Sequence, residues 1–192
     1  MGKVIFSMIL SLDGYIEGPD GSFDWFEPDE ELHRHFNQRE AQTGFHLFGR
    51  KLYELMNDFW PTADQLPDAP DYIAEYARFY RAVPNVVFSR TLESVDANSR
   101  LVRDNIAAEV TALKASTDKE LALGGPGIAA EFIRLGLVDE YWLYYAPVIV
   151  GGGKPMFGDV STPLRMEMLG LEQFGGGATL AKYRPIAPAP VD

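Results

Sequence analysis

Three short segments carry the residue types from which an anion site is built: Phe48-Gly49-Arg50-Lys51, Phe88-Ser89-Arg90-Thr91 and Leu123-Gly124-Gly125-Pro126-Gly127. Each begins at the end of an apolar run that reads as a strand, and each continues with glycine or a basic residue. In a parallel sheet the carboxyl ends of the strands share one edge. Arg50, Lys51, Arg90, the hydroxyls of Ser89 and Thr91, and a set of backbone N–H groups would then meet there. Such a wall suits a phosphorylated ligand, since each charge-assisted hydrogen bond contributes about 1.5–3 kcal/mol. The glycine turn lets backbone approach a ligand closely, and the N-terminus of the helix behind it, beginning near Ile128, favours an anion. Taken singly, strand-end arginines are commonly surface charges and a glycine pair is a tight turn. Gly125-Pro126-Gly127-Ile128 fits the dinucleotide fingerprint only in part, and the Gly-Lys-Ser/Thr of an ATP-binding P-loop is absent.

The elements that must position these residues follow from periodicity. Lys3 to Ser11 is almost continuously apolar, as in a central strand buried on both faces. Leu12 to Ser22 leaves it through the turn pairs Asp13-Gly14, Gly18-Pro19 and Asp20-Gly21, giving a loop at the ligand-binding end of the sheet. Helices are predicted over Pro28–Gln42, Arg50–Phe59, Asp71–Ala82 and Asp104–Ser116, the last capped by Asp104 or Asn105. Strands are predicted over Phe45–Phe48, Val86–Phe88 and Ser99–Val102. A βαβ unit follows: Leu121–Leu123, the glycine turn, helix Ile128–Leu135, then strand Tyr141–Val150 ending at Gly151-Gly152-Gly153. Arg165–Phe174 and Ala178–Arg184 flank Gly175-Gly176-Gly177 as a β-hairpin. The expected fold is therefore α/β: a mostly parallel mixed sheet with helices on both faces and a C-terminal antiparallel hairpin. Residues 1–186 read as one domain, with 187–192 a loose tail. The Pro-rich, acidic Trp60–Pro70 is the best candidate for an internal boundary.

Composition sets limits. The apolar fraction of 46% supports a packed core, and the net charge of −11 argues against nucleic acid and anionic membrane as partners. The absence of Cys excludes disulfides, thiolate catalysis and Cys-based zinc sites. No apolar run reaches the ~20 residues of a membrane span, and the N-terminus alternates as a strand does, so a cytoplasmic protein is expected. His33 and His35, two apart on a helix, point to nearly opposite sides, and no metal site is expected.

The same segments, together with Ser11-Leu12-Asp13-Gly14-Tyr15-Ile16 and Gly136-Leu137-Val138-Asp139-Glu140 leading to Pro147–Phe157, resemble the dihydrofolate reductase-like superfamily. They resemble most the riboflavin-biosynthesis reductase branch, the RibD C-terminal domain. The resemblance runs from Lys3 to about Arg184, in order. It implies a reductase using NADPH on a small pterin-like or pyrimidine-like heterocycle, and a homodimer. Gly49, Arg50, Lys51, Ser89 and Arg90 would hold the adenosine 2′-phosphate side. Gly124, Gly125, Pro126, Gly127 and Ile128 would take the pyrophosphate. Asp13, Gly14, Tyr15 and Val150 would lie by the nicotinamide and substrate. The family often has Thr where this chain has Leu52, so one phosphate-binding hydroxyl is missing.

Reduction of a C=N or C=O bond also needs a proton. Asp13 is the first candidate donor, although a turn role before Gly14 competes with it. Glu17, Asp24, Glu30, Glu31 and water are the alternatives. Trp25, Phe26, Tyr53, Trp60 and Tyr145 could stack on a flat ring or serve as core anchors. The other readings are a module of the same fold that binds nucleotide without turnover, and an oligomeric structural protein.

Overall fold

Alternating apolar runs and amphipathic segments assemble into an eight-stranded sheet in the computed structural model, which describes residues 1–158 and 163–186. The strands are β1 (Val4–Leu10), β3 (Thr43–Gly49), β4 (Asn85–Phe88), β5 (Ser99–Val102), β6 (Glu120–Gly124), β7 (Glu140–Tyr145), β9 (Met166–Gln173) and β10 (Thr179–Pro185). Their spatial order is β5-β4-β3-β6-β1-β7-β10-β9. The first six in that order are parallel, whereas β10 pairs antiparallel with both β7 and β9. The central position of β1 follows from its apolar run: Phe6 lies level with Leu123 on one side and Tyr141 on the other.

Side-chain alternation splits the core between two faces. Val4, Phe6 and Leu10 pack with Val110 and Leu113 of α4 (Ile106–Ser116) and with Ala129 and Phe132 of α5 (Pro126–Arg134). Ile9 points the other way, toward Leu32 and Phe36 of α1 (Glu30–Glu40). On that second face, Phe48 and Val87 meet Tyr53 of α2 (Arg50–Phe59) and Tyr80 of α3 (Asp71–Ala82). Full burial of a side chain such as Phe132 contributes about 1.5–3 kcal/mol.

This arrangement defines a switch point. The chain leaves β1 through α1 on one face and leaves β6 through α5 on the other, while β1 and β6 are neighbours. In open α/β sheets the ligand crevice lies at such a switch point, here beyond the carboxyl ends of β1 and β6, between Ser11 and the Gly124-Gly125 turn.

Several expectations are revised. The strand predicted to run to Val150 ends at Tyr145. Ala146 N–H makes a last bond to Leu10 O, Pro147 has no N–H, and Val148 N–H turns back to Ala146 O. Neither Asp104 nor Asn105 caps α4 by its side chain: Asn105 sits in the left-handed region at φ 58°, and Asp104 faces Arg90. The suspected boundary is a 3₁₀ helix, Trp60–Gln65, that packs into the fold through buried Ala63 and the Arg81–Asp64 ion pair. Unforeseen is a two-stranded ribbon of β2 (Tyr15–Glu17) and β8 (Lys154–Pro155). Asp29 caps α1 as its position suggests, accepting from Leu32 N–H at 2.8 Å, a bond worth ~1 kcal/mol. The loose tail, 187–192, lies outside the described residues. Among the described residues no helix is long and apolar enough to cross a membrane.

Beneath α1 lies a buried polar chain. The His46 ring bonds Asn85 Oδ1 at 2.9 Å and Glu40 Oε2 at 2.8 Å, and Tyr76 OH donates to Glu40 Oε1. Burial opposes ionisation of Glu40, but the facing His46 ring, Arg39 and the Tyr76 hydroxyl outweigh it and hold the carboxyl below its ordinary range. His33 lies on the opposite side of α1 from His35, among Phe36, Trp60, Tyr72 and Tyr76. His35 meets Tyr144 OH at 3.0 Å.

Candidate functional site

Strand register brings the three anion-type segments together. Phe48 is level with Val87 and Gly124, and Gly49 with Phe88, so β4, β3 and β6 end side by side. Adjacent strands lie ~4.8 Å apart, which places the segments that follow within reach of one small ligand. Gly49 is the N-cap of α2 and Gly125 that of α5, and neither helix start carries a side-chain cap bond. Two sets of free N–H groups thus point past the same edge, with Pro126 occupying the first turn of α5 where a missing N–H costs nothing. Gly125 adopts φ +87°, a conformation that a side chain would strain.

Gly127 and Ile128 follow in the first turn of α5. Ile128 approaches so closely that a Cβ on Gly49 would lie 3.3 Å from its Cβ. The Leu52 side chain fills the space over the turn, 2.6 Å from where a Gly124 Cβ would stand. The residue that lacks the family's hydroxyl is therefore a packing residue against the glycines.

Beside these helix starts lies a cleft of about 490 Å³. Its floor is apolar, with Phe88, Ile106 and Ile128, and Ser89, Arg90 and Arg103 line it together with the carboxylates Asp104 and Glu131. Ser89 Oγ accepts from the N–H groups of Thr91 and Leu92, which fixes the turn. Arg90 faces Asp104 at 3.1 Å with 81% of its side chain exposed, a pair of little stabilising value that an incoming anion can displace. Arg50 reaches Glu54 at 3.3 Å and Thr91 Oγ1 at 3.4 Å. Lys51 is exposed on the first turn of α2.

Arg103 was not singled out in the sequence, although it carries the same signal as Arg90. It is the basic residue that follows the last residue of a parallel strand, here β5. Its guanidinium donates to Arg90 O and Glu93 O, tying the two strand ends together.

On the other side of the crevice, Asp13 holds the loop after β7. Its carboxylate accepts from Val150 N–H at 3.1 Å and Gly151 N–H at 2.8 Å. The Ser11 hydroxyl and then these amides hold Asp13 below the ordinary carboxylate range, so it is an anion at neutral pH. Gly14 O accepts from Met156 N–H, and Tyr15 N–H donates to the buried Ser11 Oγ. The β2–β8 ribbon is tight: a Cβ on Gly153, at φ +118°, would stand 2.0 Å from Glu17 O.

The other candidate acids have partners. Glu17 pairs with Lys154, Glu30 with Arg34, and Glu31 Oε2 accepts from Gly175 N–H. Asp24 is exposed. Of the aromatic candidates, Tyr53 is buried with its hydroxyl accepting from Asp96 N–H, Phe26 packs against the core under α1, and Trp60 packs on Tyr76 and His33. These three are anchors. Tyr145 is half-buried against the main core, and Trp25 is half-buried with its indole N–H shielded from solvent.

The mostly parallel sheet, with its switch-point crevice and its C-terminal hairpin, defines a dihydrofolate reductase-like α/β fold. The model of the RibD C-terminal domain family matches residues 2–180, and the chain belongs to that family. The uncharacterized protein YyaP of Bacillus subtilis is 34% identical over 184 residues, 94% of each chain. Among solved structures, a diaminohydroxyphosphoribosylaminopyrimidine deaminase/5-amino-6-(5-phosphoribosylamino)uracil reductase from Thermotoga maritima superposes with a TM-score of 0.67 at 20% identity. The match covers 96% of this chain and 57% of that one. A dihydrofolate reductase from Enterococcus faecalis complexed with NADP(H) gives 0.62 at 12% identity, covering 96% of each. At these identities the structural matches bear on the fold.

Proposed function

We propose that the protein is an NADPH-dependent reductase of a small heterocycle, acting in the cytoplasm as a homodimer. The observation that carries this reading is the convergence of two uncapped helix N-termini with the Arg90–Arg103 rim at one sheet edge. That donor set fits a dinucleotide carrying an extra phosphate. The adenine would lie on the apolar floor of the cleft, the 2′-phosphate by Ser89, Arg90, Arg103 and Arg50, and the pyrophosphate between Gly49 and Gly125. Family membership and the NADP(H) named for the Enterococcus enzyme support the same assignment.

When bound, NADPH supplies the hydride. The chain's own part is orientation: Gly125 and Leu52 set the cofactor's height over the edge, and Asp13 fixes the Val150-Gly151 loop beside the acceptor ring. In this reading Asp13 is a positioning residue, since both its oxygens serve loop amides and it is ionised. Glu17, Glu30 and Glu31 have partners of their own, so solvent water delivers the proton to the reduced bond. The dimer reading draws support from edge strand β9, which leaves Met168, Leu169 and Leu171 exposed.

Fluorescence titration tests the cofactor assignment. NADPH should bind saturably below millimolar, and Arg90→Ala should weaken NADPH by about tenfold while leaving NADH nearly unchanged. Equal losses for both cofactors would reject the 2′-phosphate role.

A further inference from the structure

The crevice has two halves of opposite character, and the contrast, taken together with the reductase reading on which it rests, bears on the ring substrate. The cofactor half carries Arg50, Lys51, Arg90 and Arg103, two of them paired with Glu54 and Asp104. On the other half, residues 13–31 hold eight carboxylates and no Lys, Arg or His. Residues 55–71 hold four more carboxylates and again no base. In the loop after β7, residues 146–158, the single base is Lys154, whose Nζ is 3.1 Å from Glu17. The first and last of these segments are held together around the end of β1: Asp13 binds Val150 and Gly151, and the β2–β8 ribbon joins the two loops. A phosphate on this side would find no unpaired Lys or Arg within these segments to offset its lost hydration, and their net negative charge would repel it.

What this half offers instead is apolar surface. Helix α2 runs from the Gly124-Gly125 turn toward α1. Leu52 at its start lies against the Gly124-Gly125 turn, and Trp60 just past its end packs on His33 of α1 at 5.8 Å. Between these anchors Leu55 and Phe59, spaced i and i+4, share one stripe and are 46% and 44% exposed. Ile149, next to the amides that Asp13 holds, is 72% exposed.

We infer that the substrate is a ring without phosphate, bearing an apolar substituent that lies along Leu55 and Phe59. It would thus differ from the phosphoribosyl compound named for the Thermotoga enzyme.

Calorimetry on NADPH-saturated protein tests this with three ligands sharing one ring: 5-amino-6-(5-phosphoribosylamino)uracil, its phosphate-free ribosylamino form, and the 6-benzylamino form. The benzylamino ligand should bind about tenfold or more tighter than the phosphoribosyl ligand, with the gap narrowing as salt screens the carboxylates. Leu55→Ala and Phe59→Ala, at exposed positions, should remove most of that advantage while NADPH affinity stays at the wild-type value. A phosphoribosyl ligand that binds as tightly as the benzylamino form would overturn the inference. So would failure of the benzylamino ligand to bind, or an advantage untouched by both variants. Failure of NADPH itself to bind, measured first and without any ring, rejects the reductase reading instead.

Discussion

Replacing Gly153 by Ala should do far more damage than the same change at Gly151, two residues earlier. Both glycines have positive φ, +82° at Gly151 and +118° at Gly153. An L side chain in such a conformation costs about 1–2 kcal/mol. At Gly151 that is the whole expected cost, because a Cβ there meets nothing within 4 Å. At Gly153 the Cβ would lie 2.0 Å from Glu17 O and 2.6 Å from Gly18 C, both backbone atoms that cannot rotate away. The β2–β8 ribbon must part by roughly an ångström or more. Its pairing of Tyr15 with Pro155 and of Glu17 with Lys154 is then lost, with each hydrogen bond contributing about 0.5–1.5 kcal/mol. The sum is about 2–5 kcal/mol for Gly153→Ala against about 1–2 for Gly151→Ala. Urea unfolding of the variants measures the difference directly. Limited proteolysis should show faster cleavage within residues 13–29 of Gly153→Ala. Under the proposed function, turnover should fall in that variant while NADPH affinity holds, since the donors assigned to NADPH lie at the starts of α2 and α5 and not on the ribbon. Equal destabilisation by the two substitutions would refute the steric argument.

Other consequences stem from buried groups and from the departure at Leu52. Leu52→Thr restores a hydroxyl beside the helix start at the loss of packing on Gly124. NADPH should bind a few-fold tighter, while stability drops by about 1 kcal/mol, read from Kd and Tm together. Burial depresses the pKa of His33 and of His35, so the unfolded chain binds more protons as pH falls below their unfolded value of about 6.5. Stability is then fullest above that pH and declines through the window toward the lower folded values. The urea midpoint should fall between about pH 7.5 and pH 5.5, and His33→Phe should flatten that slope. A midpoint that does not move would contradict the burial argument. Sedimentation at micromolar concentration should give a dimer, and charges placed at Met168 and Leu171 should yield monomer if β9 is the contact.

Local periodicity was enough to reveal most elements. Arg50–Phe59 and Asp71–Ala82 emerge with the bounds that their apolar spacing predicts, because each buries a stripe that the sequence displays. The meeting of the three strand ends was legible for a similar reason. A strand end followed by Gly or Arg is a local signature, and parallel strands must end at one edge. Arg103 carries the same signature less plainly, since the short β5 with its mixed burial makes a weaker strand signal.

Tertiary contact decided the rest. The ribbon between β2 and β8 joins residues some 137 apart and is too short to show alternation, so no local pattern announces it. The end of β7 at Tyr145 depends on where its neighbour β1 stops offering carbonyls, and the role of Asp13 depends on which amides fold back onto it. Residue type gave Asp13 two readings, acid or turn former. Its placement against Val150 and Gly151 makes it an anion whose hydrogen bonds join two loops, because ionisation and bonding are set by surroundings that only the folded chain supplies. The sequence by itself thus determined most of the elements and the residue types that stand at the strand ends. The register of the sheet determined which residues face one another across the crevice.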